Sequence, residues 1–235
     1  MLARGAHPRS DSESSKVPRP MNRRSLLPAA LLAVALGAGS SAAMAQSVEL
    51  PRQSEFYFDA DAATVRPVLE LKERTPAAVD RLTRTVERRP EAVLETAQLA
   101  HYAMQGGQND VGGNLYSRAL ARIDLTNGLW KPVKWNYGWD LYRAGDAEGA
   151  LQQWSEIGSR GVTASWMPTT YALALWKLGR KDEAVRWYAA AVRTEPTQWS
   201  TSAQYAELLP QWRDDERATL AEVQAAWAAN PPKWP

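Results

Sequence analysis

The stretch that decides the fold runs from Tyr171 to Pro196 and reads YALALWKLGRKDEAVRWYAAAVRTEP. Apolar residues recur every three or four positions on both sides of Gly179, which is the spacing of amphipathic helices. A glycine can adopt the left-handed backbone that ends a helix, and a proline cannot continue one. The stretch therefore predicts two helices that are joined by a turn at Gly179 and end before Pro196.

The same order of residues recurs at intervals of 34 residues. One interval back lie Tyr137, Gly138, Leu141, Gly145, Ala150, Trp154 and Ile157, and one interval forward lie Tyr205, Ala206, Leu209, Ala218 and Ala225. Beyond a four-residue insertion within 125–134, the matching residues are Leu99, Ala100, Gly107, Gly112, Tyr116 and Ala119, and then Ala78, Leu82, Thr85 and Pro90. A repeat of this length predicts stacked helix pairs.

On these residues the chain resembles the tetratricopeptide repeat family over about residues 61 to 232. Each repeat of that family is a pair of antiparallel helices with small residues where the two helices cross. Here the small residues are Ala100, Gly138, Ala172 and Ala206 on first helices and Ala78, Gly112, Ala150, Ala184 and Ala218 on second helices. A bulky side chain at a crossing would push the helix axes beyond their usual separation of about 8–10 Å. The resemblance implies an all-α fold, a right-handed α-solenoid of about four to five antiparallel helix pairs.

The repeat register also gives the expected boundaries. The helix pairs are expected near 62–90, 92–124, 133–160, 166–195 and 200–229, within a repeat domain at 61–235 that follows a flexible linker at 46–60. Departures from the family pattern lie at the two ends, where Pro67 interrupts the first helix, Arg213 replaces a turn glycine and Glu222 replaces an aromatic residue. Solenoids carry atypical capping repeats at their ends, so these departures fit the resemblance.

Residues 1–45 are expected to be a leader with a signal peptide at 21–45, because MNRRSLLPAALLAVALGAGSSAAMAQ has a basic start, an apolar run and a small-residue exit. We expect cleavage between Ala45 and Gln46, a periplasmic or secreted protein and no stable membrane anchor after cleavage. The alternative is an uncleaved anchor, although the apolar run is shorter than the roughly 20 residues that span a bilayer. The Arg23-Arg24 pair weakly resembles a twin-arginine signal, but the general export route is favoured.

Composition narrows the classes of function. The chain has 28 Lys+Arg, 26 Asp+Glu, two histidines and no cysteine. Thiolate chemistry and cysteine-ligated zinc are excluded, and a formal charge of +2 gives no footprint for nucleic acid. His101 is the only histidine outside the leader, and no nucleophile, base and orienting group fall together in the repeat register. We expect no cofactor, no metal and no catalytic residues.

A candidate binding surface follows from the register of the first helices. All tryptophans lie between Trp130 and Trp234, and helical spacing places several of them on one inner stripe with two cations. The expected groove residues are His101, Met104, Trp135, Trp139, Tyr142, Arg143, Trp166, Leu173, Trp176 and Lys177. An exposed aromatic patch of this kind is typical of a binding surface. The alternative is that several of these tryptophans pack between helices as core residues.

The sequence thus predicts a non-catalytic exported scaffold or adaptor. Its partner would be an extended peptide or protein segment bound in the concave groove, with Arg143 and Lys177 orienting it. The alternative is a glycan or peptidoglycan-associated binding protein, because tryptophan faces stack on sugar rings. The basic and asparagine residues of the carboxylate clamp, which chaperone-binding relatives of the family carry, are not recognisable here.

Overall fold

The computed structural model describes residues 48–68, 74–158 and 162–233. The expected signal peptide and its cleavage site lie outside these residues. Within them the protein is all-α, as predicted, with ten helices and no strand. The helices are α1 (Pro76–Arg88), α2 (Val93–Gln105), α3 (Asn109–Leu120), α4 (Trp130–Arg143), α5 (Ala147–Gly158), α6 (Trp166–Lys177), α7 (Lys181–Thr194), α8 (Pro196–Trp199), α9 (Tyr205–Leu208) and α10 (Asp214–Ala229).

Three helical hairpins form the centre of the fold: α2 with α3, α4 with α5, and α6 with α7. Their turns lie at Gly107, Gly145 and Gly179, whose φ angles are 76°, 93° and 75°. These angles lie in the left-handed region, which a glycine adopts without the steric cost that a side chain brings. The predicted turn glycines are therefore confirmed, together with the helix pairs expected near 92–124, 133–160 and 166–195.

Small residues lie where the paired helices cross. Ala150, Ala172 and Ala184 are fully buried. A Cβ atom built on Gly138 would lie 2.2 Å from Nε1 of Trp154 on the facing helix, so nothing larger than glycine fits there without a shift. The crossing positions in the central hairpins therefore follow from close approach of the backbones, as the register predicts.

The two ends of the repeat domain differ from the prediction. At the first expected pair, 62–90, only α1 is helical among the described residues, since 62–68 form turns and irregular backbone. At the last, 200–229, the expected first helix is replaced by the four-residue helices α8 and α9, and α10 packs against α6 and α7. Ala206 and Ala218 are exposed and cross no helix. The helix pairs expected at 62–90 and 200–229 were therefore wrong, because Pro210 and the polar residues 200–202 do not support a continuous helix.

Residues 48–68 form a non-helical segment, the N-terminal strap, which crosses the ends of several helices. Tyr57 is 2% exposed, its ring packs against Trp187, and its backbone N–H donates to Thr194 Oγ1 at 3.2 Å. Farther along, the backbone N–H of Ser165 donates to the carbonyl of Asp59 at 2.8 Å. The sequence predicted a flexible linker at 46–60, but the described part of that range is packed on the helices, because Tyr57 fills a place in their core.

In the described part of the chain, no helix combines the length and the apolar character needed to cross a bilayer.

Candidate binding cleft

A cleft of about 370 Å³ opens between α2, α4 and the segment that joins α9 to α10. Four residues of the predicted groove line this cleft, namely His101, Trp135, Trp139 and Arg143. The far wall consists of residues 208–212, and the strap contributes Val65 and Pro67. The sequence therefore placed part of the lining on the correct side of α2 and α4.

Trp139 is the centre of the cleft's aromatic floor. Its ring makes edge-to-face contacts with Trp135, Trp154 and Trp212, at centroid distances of 5.8, 5.1 and 5.1 Å. The guanidinium carbon of Arg143 lies 5.0 Å from the centre of the Trp139 ring. These contacts leave Trp139 7% exposed, so ring edges rather than open ring faces meet the cleft.

The expectation of an open aromatic groove is wrong for most of its members. Trp135, Trp139 and Trp166 are each less than 10% exposed, Met104 is 7% exposed and Leu173 is fully buried. Trp166 packs against Trp135 at 5.0 Å, and its Nε1–H donates to Asp61 of the strap at 3.3 Å. The alternative that these side chains are core residues holds here, because the strap and α10 cover helix faces that the repeat register left open.

Trp176 and Lys177 lie outside the cleft, at the other end of α6. Trp176 donates its Nε1–H to Glu222 of α10 at 2.8 Å, and Lys181 Nζ lies 3.4 Å from the centre of its ring. Lys177 is exposed. The single surface predicted from the register is therefore divided, because α10 lies beside the end of α6.

Arg143 connects the cleft to α10. Its Nε donates to Glu216 Oε1 at 2.8 Å and its Nη2 donates to Glu216 Oε2 at 3.1 Å. Glu216 is 2% exposed and also accepts the backbone N–H of Arg213 at 2.7 Å, so its charge is held at the start of α10. Burial raises the pKa of the neighbouring Tyr142, and the charges of Glu216 and Asp215 raise it further. Tyr142 is half-buried behind Trp139 and does not line the cleft.

A buried polar group lies on the α2 side of the cleft. His101 Nδ1 lies 2.9 Å from each carboxylate oxygen of Asp140, and Tyr116 Oη donates to Asp140 Oδ2 at 2.7 Å. Burial raises the pKa of Tyr116 well above its ordinary value, and the Asp140 carboxylate adds to this. His101 Nε2 has no hydrogen-bond partner, and less than 1 Å² of its surface is open to water. The group joins three helices across two hairpins.

Sequence reasoning missed two parts of this site. Asp140 and Tyr116 carry a usable signal, because both fall near His101 in the repeat register and a buried histidine needs a polar partner. Trp212 carries none, since it lies in the non-helical segment before α10, where helical spacing does not apply.

Among the described residues, no cluster of three or more His, Asp and Glu side chains has the arrangement of a metal site.

Comparisons with family models, with curated proteins and with solved structures found no match to this chain.

Proposed function

We propose that this chain is a non-catalytic scaffold or adaptor that binds an extended peptide or protein segment in the cleft beside Trp139. The observation that carries the proposal is the lining itself, in which the edges of three indoles meet amide side chains in one concavity. Binding sites commonly combine an apolar floor with a few polar groups that fix orientation.

The size of the cleft supports a segment that inserts a side chain. A volume of about 370 Å³ accommodates one or two side chains, while the backbone of the segment would run along the rim. Gln105, Asn136 and Gln211 line the cleft with the tryptophans. Their amides are suited to hydrogen bonds with a peptide backbone, since each amide group carries both donors and acceptors.

The geometry favours a peptide over the glycan alternative. A sugar ring stacks on an open aromatic face, but Trp139 has neighbouring indoles and the Arg143 guanidinium against its ring. The tryptophans that line this cleft are each less than 10% exposed, so little ring face is available for stacking. An inserted side chain needs only the edges and the apolar wall at Leu208 and Leu209.

The wider setting remains part of the same proposal. We infer that the three central hairpins stack as a right-handed solenoid of the tetratricopeptide type, and that the protein is exported with removal of residues 21–45. The turn glycines and the buried crossings at Ala150, Ala172 and Ala184 support the solenoid, because they recur at the family's interval.

A selection experiment tests the proposal. The purified full chain is immobilised and used to select from a library of random ten-residue peptides, and the selected peptides and purified peptidoglycan fragments are then titrated by calorimetry. We expect selected peptides to bind with a dissociation constant on the order of 10 μM, and the fragments to bind at least tenfold more weakly. Binding of the fragments alone would instead support the glycan alternative.

A further inference from the structure

The unpartnered nitrogen of His101 gives the cleft a specific hydrogen-bonding demand. The His101 ring lines the cleft and the residue is 7% exposed, yet Nε2 has no partner. A buried polar atom without a partner is destabilising, because water no longer satisfies it. The fold therefore contains a group that a bound molecule can satisfy and that solvent does not.

The role of Nε2 follows from the groups around Asp140. A carboxylate accepts hydrogen bonds, and Asp140 accepts the hydroxyl of Tyr116 as well as Nδ1–H of His101. The proton of the neutral ring is thus fixed on Nδ1, which leaves the lone pair on Nε2. A neutral His101 presents an acceptor, so the molecule that satisfies it must supply a donor.

The charges of the lining limit that molecule further. Both charged pairs at the cleft are internally neutralised, since His101 lies on Asp140 and Arg143 lies on Glu216. The other polar groups that line the cleft within the described residues are amides. An ionised ligand group would lose water without gaining an opposite charge, which is unfavourable.

The geometry points to His101 Nε2 as the acceptor that anchors a neutral, ring-sized side chain bearing an O–H or N–H donor. A tyrosine phenol meets these conditions, because its ring is apolar and its hydroxyl is an uncharged donor at neutral pH. This inference rests on the proposed peptide-binding function and names the side chain that the segment would insert. The donor reaches Nε2 by displacing the side chains that shield it in the empty cleft.

A matched pair of small probes tests the anchor. p-Cresol carries the phenol donor, and 4-methylanisole has the same ring with a methyl group in place of that hydrogen. We expect p-cresol to bind the full chain about tenfold more tightly at pH 8, and His101→Phe to remove the difference while leaving the binding of 4-methylanisole. Equal affinity of the two probes for the unmodified chain, or no binding of either, would overturn the anchor.

A spectroscopic readout covers the case in which His101→Phe does not fold. The chain has two histidines, so selective ¹⁵N labelling of histidine gives a spectrum in which His101 can be assigned. We expect the Nε2 resonance of His101 to shift on addition of p-cresol and to stay in place with 4-methylanisole. No shift with p-cresol would overturn the anchor even if the probe binds elsewhere.

The same spectrum separates the two proposals. If the selected ten-residue peptides bind without moving the Nε2 resonance, the proposed function stands and the anchor fails. If p-cresol moves the resonance but no peptide is selected, the anchor stands as a property of the cleft and the peptide-binding function fails.

Discussion

Arg143 and Glu216 form a two-bonded ion pair between the central hairpin and the C-terminal helix, with Nε 2.8 Å from Oε1 and Nη2 3.1 Å from Oε2. The carboxylate is almost fully buried, whereas the arginine side chain is 22% exposed. This pair holds α10 beside the cleft, and Trp212 in the preceding segment completes the aromatic floor.

The first prediction concerns that ion pair. Arg143→Ala leaves a buried carboxylate without its main partner and should lower the free energy of unfolding by about 3 kcal/mol in urea titrations. Arg84→Ala is the control, because Arg84 pairs with Asp80 on the exposed surface of α1 and should cost less than about 1 kcal/mol. Equal losses in the two variants would contradict the role given to Glu216.

The second prediction concerns the crossing of α4 and α5. Gly138→Ala places a Cβ against the buried Trp154 and should cost about 1–3 kcal/mol of stability. Gly113→Ala is the matched control, since its Cβ meets only the hydroxyl of Tyr137 at 3.3 Å and alanine is the better helix former. Thermal unfolding compares the two, and a Gly138→Ala variant as stable as the parent would count against close packing at this crossing.

The central hairpins were predictable because their signals are local. The glycine turns and small crossings recur at a fixed interval, and each depends only on the backbone geometry of one hairpin. Gly138 is an example, since Trp154 occupies the space that a side chain would need. These features follow from the sequence without knowledge of what covers the outer faces of the hairpins.

The cover of the hairpins was not predictable from the repeat register. Trp166 was expected in an open groove but lies beneath Asp61 of the strap, more than 100 residues earlier in the chain. Trp139 was expected on the same surface but packs against Trp212, which precedes α10. Helical spacing gives the side of a helix on which a residue lies, but it does not give which distant segment packs there.

The third prediction concerns the tryptophans. Trp139→Ala should lower the free energy of unfolding by about 3–5 kcal/mol, because the ring is buried against three other indoles. Trp176→Ala should cost about 1 kcal/mol, since that ring is partly exposed at the end of α6. The comparison is made by urea unfolding, and a larger loss for Trp176 would contradict the arrangement.

The fourth prediction concerns alkaline pH. Tyr188 and Tyr205 share a hydrogen bond at 2.5 Å, and burial raises the pKa of Tyr188 to about 12. In the unfolded chain a tyrosine ionises near pH 10, so between pH 10 and 12 the folded chain keeps a proton that the unfolded chain loses. Stability should therefore be complete below about pH 10 and fall by about 1 kcal/mol per pH unit above it.

Urea unfolding at pH 8 to 11.5 measures that slope in the parent and in Tyr188→Phe. The variant should lose stability less steeply above pH 10, because one of the buried phenols is gone. An unchanged slope would show that Tyr188 does not contribute to the alkaline loss.

The most direct test of the account blocks the cleft without touching its floor. Gln105 is exposed at the end of α2 and lines the cleft, so Gln105→Trp should fill the entrance and weaken binding of the selected ten-residue peptides by at least tenfold. Gln152→Trp is the matched control, because Gln152 is exposed on α5 and does not line the cleft. The account predicts loss of binding, measured by calorimetry, in the first variant and unchanged binding in the second, whereas equal affinity of both variants and the parent would contradict it.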